Sequence, residues 1–355
     1  MTEKLHQHLS AALAATPVGS LCVAFSGGAD STALLHALAA SPQARGRGLR
    51  AVHVDHGLQA ASAEWAEHCR RFCASLHVPF EVLRVQPAHG RGEGLEAAAR
   101  HARRAAFERM LRPGEWLVLA HHRDDQAETV LLKLLRGAGP EGLGGMRASR
   151  PFAGGMLWRP LLDLPRESLR EYVAAHGLGF IEDPSNRDTA LSRNFLRAEI
   201  LPALNARWPH ATQSIAHAAA LCRDAAQYLE NLADAALQRL ARGGHDMDAA
   251  GWSGLPDALR GLVLQRWLHR QGLPAPTQAQ AAELRRQIDQ ARADHVPRVA
   301  WPGAEVRSWR GALHAMAPPR EIPADWEAAW NGEPLALPGN AGRLRLIATG
   351  RKPDR

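Results

Sequence analysis

Short apolar runs alternate with helical stretches through the first half of the chain. Leu21-Cys22-Val23-Ala24-Phe25 carries no charged side chain, and a Ser-Gly-Gly turn separates it from a second apolar run, Thr32-Ala33-Leu34-Leu35. An unbroken apolar run of this length reads as a strand covered on both faces, and the run after the turn as a buried helix. Further strands are predicted over residues 49–55, 78–85 and 115–120. Helices are predicted over 1–19, 62–77 (Trp65, Cys69, Phe72 and Leu76 at helical spacing), 95–111 and 124–135. Strands and helices in this alternation predict an α/β domain built on a parallel sheet with helices on both faces. Ligands of such sheets bind beyond the carboxyl ends of the strands, where Ser26, Asp55, His56, His121 and His122 fall.

The pattern changes after residue 135. The Gly-rich segment 136–145 is expected to hold no regular structure and to form a mobile loop at the site. A helix is predicted over 166–176, and a long helix beginning at Asn194 is expected to be interrupted at Pro202. An Ala/Leu-rich helix over 210–242 leads into a mainly helical domain, and past Pro318-Pro319 at most one short strand, within 342–347, is expected. The division follows as 1–212 for the nucleotide-binding domain, 213–317 for the helical domain and 318–355 for a short tail.

Composition adds the class of partner. The chain has 355 residues, a formal charge of +7 and a sequence pI near 9.9, which favours a polyanion such as nucleic acid. Three of its 43 basic residues are lysine, at 4, 133 and 352; the rest are arginine, the side chain suited to bidentate phosphate contacts. No apolar run reaches the roughly 18 residues of a membrane span and no secretory segment opens the chain, so a soluble cytoplasmic protein without a membrane partner is expected. Cys22, Cys69, Cys73 and Cys222 are scattered, with no Cys-x-x-Cys pair, which argues against a disulfide framework or zinc ribbon; Cys69 and Cys73, one helical turn apart, either share a metal or, as most such pairs do, pack. Oligomeric state is left open, a homodimer among the options.

Chemistry concentrates in a few blocks. Ser26-Gly27-Gly28-Ala29-Asp30-Ser31 places glycines, which admit close backbone approach, before a helix whose first N–H groups lack internal partners; this makes a phosphate cradle. Asp55 and His56 end the neighbouring strand and either orient a nucleotide or cap a turn. Glu96, Arg100 and Arg103 share a helix face that either grips phosphate or is solvated. In His121-His122-Arg123-Asp124-Asp125-Gln126-Ala127-Glu128-Thr129, Asp125 and Glu128 project together from a helix start. They suit an ammonium group, Mg²⁺ or the proton of an amine nucleophile; capping is the plainer reading. Glu182-Asp183-Pro184-Ser185-Asn186 followed by Arg193 and Arg197 serves either RNA phosphate or the turn's own hydrogen bonds.

The first block resembles the Ser-Gly-Gly-x-Asp-Ser pyrophosphate loop (PP-loop) of the ATP pyrophosphatases, which adenylate a substrate. With HVDHGL at 53–58, the Glu96-Arg100-Arg103 helix, HHRDDQAET at 121–129, the glycine segment from Arg136, RPLL at 159–162, EDPSN at 182–186 and RNFLR at 193–197, the ordered set resembles the tRNA(Ile)-lysidine synthetase family over residues 20–205. It departs at Arg104, where relatives carry Tyr. The resemblance implies a Rossmann-like PP-loop domain, ATP and Mg²⁺ as cofactors, and L-lysine and a CAU-anticodon tRNA(Ile) as partners. The implied reaction adenylates C2 of the wobble cytidine; lysine then attacks through its amine and AMP leaves.

By motif position, Ser26, Gly27, Gly28, Ala29, Asp30, Ser31, Asp55 and His56 bind ATP. Arg100 steadies phosphate, Asp30 also meets Mg²⁺, Asp125 and Glu128 bind and activate lysine, and Arg193 and Arg197 contact tRNA. Longer relatives carry a further C-terminal tRNA domain, of which 318–355 is expected to be a remnant. A thiolase of the same superfamily and a catalytically silent RNA-binding relative are the alternatives. The missing Cys-x-x-Cys pair argues against the first, the intact Asp30, Asp125 and Glu128 against the second.

Overall fold

A computed structural model describes residues 2–57, 61–86, 95–291, 296–318, 325–338 and 342–346, with only the backbone of residues 2 and 95–97. Leu58, the side chain of Glu96 and much of the tail beyond Pro318 lie outside the described residues. Two compact units divide at Ala226/Gln227, inside a helix spanning Ala211–Leu240; residue 212, where the sequence suggested a boundary, is the second residue of that helix.

In the first unit the strands are β1 (Leu21–Ala24), β2 (Leu49–Asp55), β3 (Phe80–Arg84), β4 (Trp116–Val118), β5 (Ser149–Phe152) and β6 (Gly155–Trp158), ordered β3-β2-β1-β4-β6-β5. All pairings are parallel except that of β5 with β6. The chain runs outward from β1 through β2 to β3, then returns to the other side of β1 at β4. That reversal opens a crevice at the carboxyl ends of β1 and β4, the position where α/β sheets hold ligands. Leu21, Cys22 and Val23 are wholly buried, as a central strand covered on both faces requires.

One face carries α1 (Thr2–Ala14), α2 (Ala29–Ala39), α3 (Pro42–Gly46) and α4 (Ser62–Ser75). Leu5, Leu9 and Leu13 recur at the spacing of one helix stripe and join Leu34, Leu35, Leu38, Leu169 and Tyr172 in the main core. The other face carries α5 (Leu95–Met110), whose Phe107 packs with Val52, Leu117 and Leu157. Cys69 and Cys73 are buried free thiols in the main core, and burial pushes both up to about 12, so they act as small apolar side chains.

The sheet's amino end is locked by a buried fork in which Arg50 donates to both carboxylate oxygens of Glu115, each at 2.7 Å. Beside it, a Cβ on Gly155 would stand 2.1 Å from the Glu115 carbonyl oxygen, so only glycine lets β6 approach there.

The structure corrects two expectations. The glycine segment is not irregular throughout: after α6 (Arg123–Leu134) it holds α7 (Pro140–Leu143), begun by proline at its first turn. It is also tied down. Gln126 exchanges hydrogen bonds with the Met146 backbone (2.7 and 3.0 Å), and Arg223 donates to the carbonyls of Gly144 and Met146 (2.9 and 3.0 Å). Nor does Pro202 break the chain's course. After α8 (Arg166–Ala175), the short α9 (Ser192–Phe195) runs through a π turn (Leu196–Ile200) into α10 (Leu201–Arg207), so a widened turn precedes the residue that has no amide proton to donate.

The second unit contains the helices expected of it: the end of α11 (Ala211–Leu240), α12 (Ala249–Ser253), α13 (Asp257–Arg270) and α14 (Gln278–Asp289). It also holds a five-stranded antiparallel sheet, ordered β7-β8-β11-β10-β9, that the pattern did not announce. Its strands are β7 (Ala241–Arg242), β8 (Asp246–Asp248), β9 (Arg298–Trp301), β10 (Ala304–Trp309) and β11 (Ala312–Met316). Trp252, Trp267, Leu264, Val306 and Leu313 form the core between helices and sheet.

Candidate active site

The loop after β1 is shaped by its own hydrogen bonds. Gly27 has φ +83°, and a Cβ there would meet Ile181 Cδ1 at 2.4 Å, so the turn requires glycine. The Gly27 carbonyl accepts from Ile181 N (2.8 Å) and Thr32 Oγ1 (3.3 Å), while Ser31 Oγ donates to the Gly28 carbonyl (3.0 Å) and lies 3.1 Å from Ser26 Oγ. Gly28 is the N-cap of α2 and offers no side chain, so the first amides of α2, from Ala29 onward, keep their donors for an anion.

His122 connects this loop to the second half of the site. It is 1 % exposed and is the N-cap of α6, with Nε2 3.5 Å from Asp30 Oδ2 and 3.3 Å from Asp125 Oδ2, and Nδ1 3.6 Å from Asp124 Oδ2. A neutral ring would accept from the Asp125 amide at 3.4 Å, a long bond. Three carboxylates decide otherwise. Burial opposes the charge, but hydrogen bonds to Asp124 and Asp30 and the charge of Asp125 outweigh it and lift His122 to about 9. Asp30 in turn is held below its usual range: its burial is offset by the His122 hydrogen bond and charge and by Arg166. Its Oδ1 is buried with no hydrogen-bond partner among the described residues.

One turn along α6, Glu128 is wholly buried. Arg197 forks onto it, Nε to Oε1 at 2.7 Å and Nη2 to Oε2 at 3.1 Å, and also reaches Asp125 Oδ1 at 3.0 Å. Arg193 Nε lies 3.1 Å from Glu128 Oε2, and its Nη2 donates to Thr129 Oγ1 at 2.7 Å. Burial raises the proton affinity of Glu128, and Arg197 counters it. The two arginines suggested by sequence for tRNA thus face inward onto the two acids suggested for lysine, because α9 and the π turn pack along α6.

His121 accepts from Arg159 Nε at 3.2 Å, which places its own proton on Nε2; burial, against the pull of Asp125, pushes it down to about 4. Burial, with the charges of Arg150 and Arg100 behind it, brings Arg159 down to about 10. Arg100 itself is exposed on α5. At the end of β2, Asp55 Oδ1 accepts from Gly57 N (2.9 Å). His56 Nε2 accepts from Arg103 Nε (3.2 Å), its buried Nδ1 has no hydrogen-bond partner among the described residues, and burial with the Arg103 charge moves His56 to about 4.

The Glu182–Asn186 block serves structure: Asp183 caps the turn Pro184–Arg187 through Ser185 N (2.9 Å), and Asn194 Nδ2 donates to the Ser185 and Asp188 carbonyls, each at 2.9 Å. Sequence reasoning assigned no role to Arg159, Arg166, Thr129 or Ile181. Of these Arg159 and Thr129 carried a signal, as the first residue of RPLL and the last of HHRDDQAET.

Residues 1–204 match the family described as PP-loop domain and residues 247–314 the TilS substrate binding domain. A tRNA(Ile)-lysidine synthase of Xanthomonas axonopodis is 47% identical over 336 residues, 94% of this chain and 76% of that protein. Another, of Alkalilimnicola ehrlichii, is 44% identical over 349 residues, 97% of this chain and 77% of that protein. Among solved structures, the U34-tRNA thiolase NcsA of Methanococcus maripaludis superposes with a TM-score of 0.52 over 62% of this chain and 78% of that one at 15% identity, a likeness of fold alone. The chain belongs to the tRNA(Ile)-lysidine synthase family.

Proposed function

We propose that the chain adenylates C2 of the wobble cytidine of a CAU-anticodon tRNA(Ile) and then joins free L-lysine to that carbon. In the first step the base's carbonyl oxygen bonds to the α-phosphorus of ATP and pyrophosphate leaves with the electron pair of the broken bond. In the second the lysine amine bonds to C2, loses a proton, and AMP leaves with the carbonyl oxygen. The PP-loop and the open amides of α2 hold the phosphates, with Asp55, His56 and Arg100 around the nucleotide.

The observation that carries the reading is the cluster of Asp125, Glu128, Arg193 and Arg197 beside the loop. A bare amine needs only carboxylates. Two acids interleaved with two arginines match an amino acid, which brings an ammonium and a carboxylate together. Glu128, buried and with raised proton affinity, suits uptake of the proton that the amine must lose.

Mg²⁺ fits as a companion of the phosphates. Asp30 Oδ1 is a buried acceptor without a partner among the described residues, where no three such side chains are arranged to hold a metal ion, so the protein would contribute one oxygen to an ion held mainly by ATP. The ion would offset charge on the phosphates. Among the described residues no helix is long and apolar enough to cross a membrane; the cytoplasm, where tRNA and lysine are both available, is the proposed compartment. The second unit is the proposed tRNA grip.

Separate assays of the half-reactions test the scheme. Pyrophosphate release is expected to require tRNA, and AMP release to require lysine as well; AMP released at full rate without lysine would overturn it.

A further inference from the structure

Four arginines stand at the site, and three already donate to groups of the chain. Arg193 and Arg197 are held by Glu128, Thr129 and Asp125, and Arg159 donates to His121 and to the Arg147 carbonyl. Arg166 differs. Its backbone N–H donates to Asp124 Oδ2 at 2.9 Å, which fixes the first residue of α8 at the site, yet its guanidinium donates no hydrogen bond among the described residues. The Nε is buried and stands 3.9 Å from Asp30 Oδ2, beyond hydrogen-bond length, and the side chain is only 29% exposed. A guanidinium has five donors that burial leaves costly unless satisfied. Here they make no hydrogen bond among the described residues, beside the open amides of α2 and next to an Asp30 oxygen that likewise has no hydrogen-bond partner among them.

We infer that Arg166 is a ligand of the pyrophosphate half of ATP, gripping its oxygens through the guanidinium fork. This rests on the reading of the loop as the ATP site. A polyphosphate entering beside the Asp30 carboxylate meets like charge, and the arginine against that same carboxylate supplies the opposite sign with matching planar geometry. As the bond from the α-phosphorus to the bridging oxygen breaks, its electron pair passes to the departing pyrophosphate. A cation already in place needs no rearrangement to stabilise that charge. The carbonyl oxygen, lysine and AMP require nothing of Arg166.

Calorimetric titration of the full chain with magnesium pyrophosphate and, separately, with AMP tests this. The wild type is expected to bind both. Arg166→Gln is expected to lose at least tenfold in pyrophosphate affinity while AMP affinity stays within twofold, and Arg166→Lys to fall between. Equal pyrophosphate affinities for wild type and Arg166→Gln would overturn the assignment. So would parallel losses for both ligands with a lowered melting temperature, which would make Arg166 an anchor of α8 only. A wild type that binds neither ligand would instead remove the ATP-site reading beneath it.

Discussion

His122 Nε2 lies 3.5 Å from Asp30 Oδ2, so α2, which follows the glycine turn, and α6, which carries Asp125 and Glu128, share one imidazole. The sharing has a direct consequence for mutants. His122→Ala is expected to slow both half-reactions, on the order of a hundredfold, the scale of losing one preorganised charge partner. Asp30→Ala should abolish adenylation, whereas Glu128→Ala should mainly raise the lysine concentration required. Pyrophosphate and AMP release, measured separately, check this split; equal losses in both steps for Asp30→Ala and Glu128→Ala would contradict it.

Arg197 forks onto a wholly buried carboxylate, so its removal leaves that charge with Arg193 alone to compensate it. Arg197→Ala should cost about 3 kcal/mol of stability, the scale for breaking one side of a buried pair. Glu128→Gln combined with Arg197→Ala should cost less than the sum of the single changes, because no under-compensated carboxylate remains. Chemical denaturation of the four proteins measures this.

Gly27→Ala places a Cβ where φ is +83° and Ile181 already stands. Strain of about 1–3 kcal/mol is expected, with ATP affinity lowered more than tenfold because the loop must shift. Gly46→Ala, with open space around its Cβ position, should leave ATP affinity unchanged and serves as control. Nucleotide titration of both variants decides.

Acid sensitivity follows from a histidine cluster away from the site. His36 Nδ1 lies 2.8 Å from the Tyr172 hydroxyl, which lies 3.1 Å from His6 Nε2, while the His36 and His176 rings are 5.0 Å apart. Burial first, then the charges of His176 and His6, hold His36 below its usual value. The folded chain therefore prefers the neutral ring, and the unfolded chain binds the extra proton once pH falls through about 6.5. Stability is fully present above that pH and is lost below it. Melting temperature should fall between pH 7.5 and 5.5, and His36→Gln should flatten the slope; an unchanged slope would remove His36 from the explanation.

Strands β1 to β4 were readable because each carries an apolar run or an apolar–polar alternation bounded by turn residues, and Ser26 through Ser31 because a phosphate turn needs glycines at a helix start. β5 and β6 escaped, since Ser149–Phe152 includes arginine and proline and Gly155–Trp158 starts on glycine, neither with an apolar run of strand length. The inward turn of Arg193 and Arg197 was equally hidden. A pair of arginines four apart presents the same pattern whether it faces RNA or a buried acid, and only the packing of α9 and the π turn along α6 decides. Arg166 opens an ordinary mixed-charge helix, RESLRE, and its place beside Asp30 arises from the fold bringing residues far apart in sequence together.

The central claim is lysine joined to one tRNA through an adenylate. Labelled lysine incubated with the chain, ATP and a CAU-anticodon tRNA(Ile) transcript tests it most directly. The label should enter the tRNA with one AMP and one pyrophosphate formed per lysine, and a transcript with another anticodon should stay unlabelled. Label entering without ATP, or modification supported by glutamine, ammonia or a sulfur donor in place of lysine, would contradict the account.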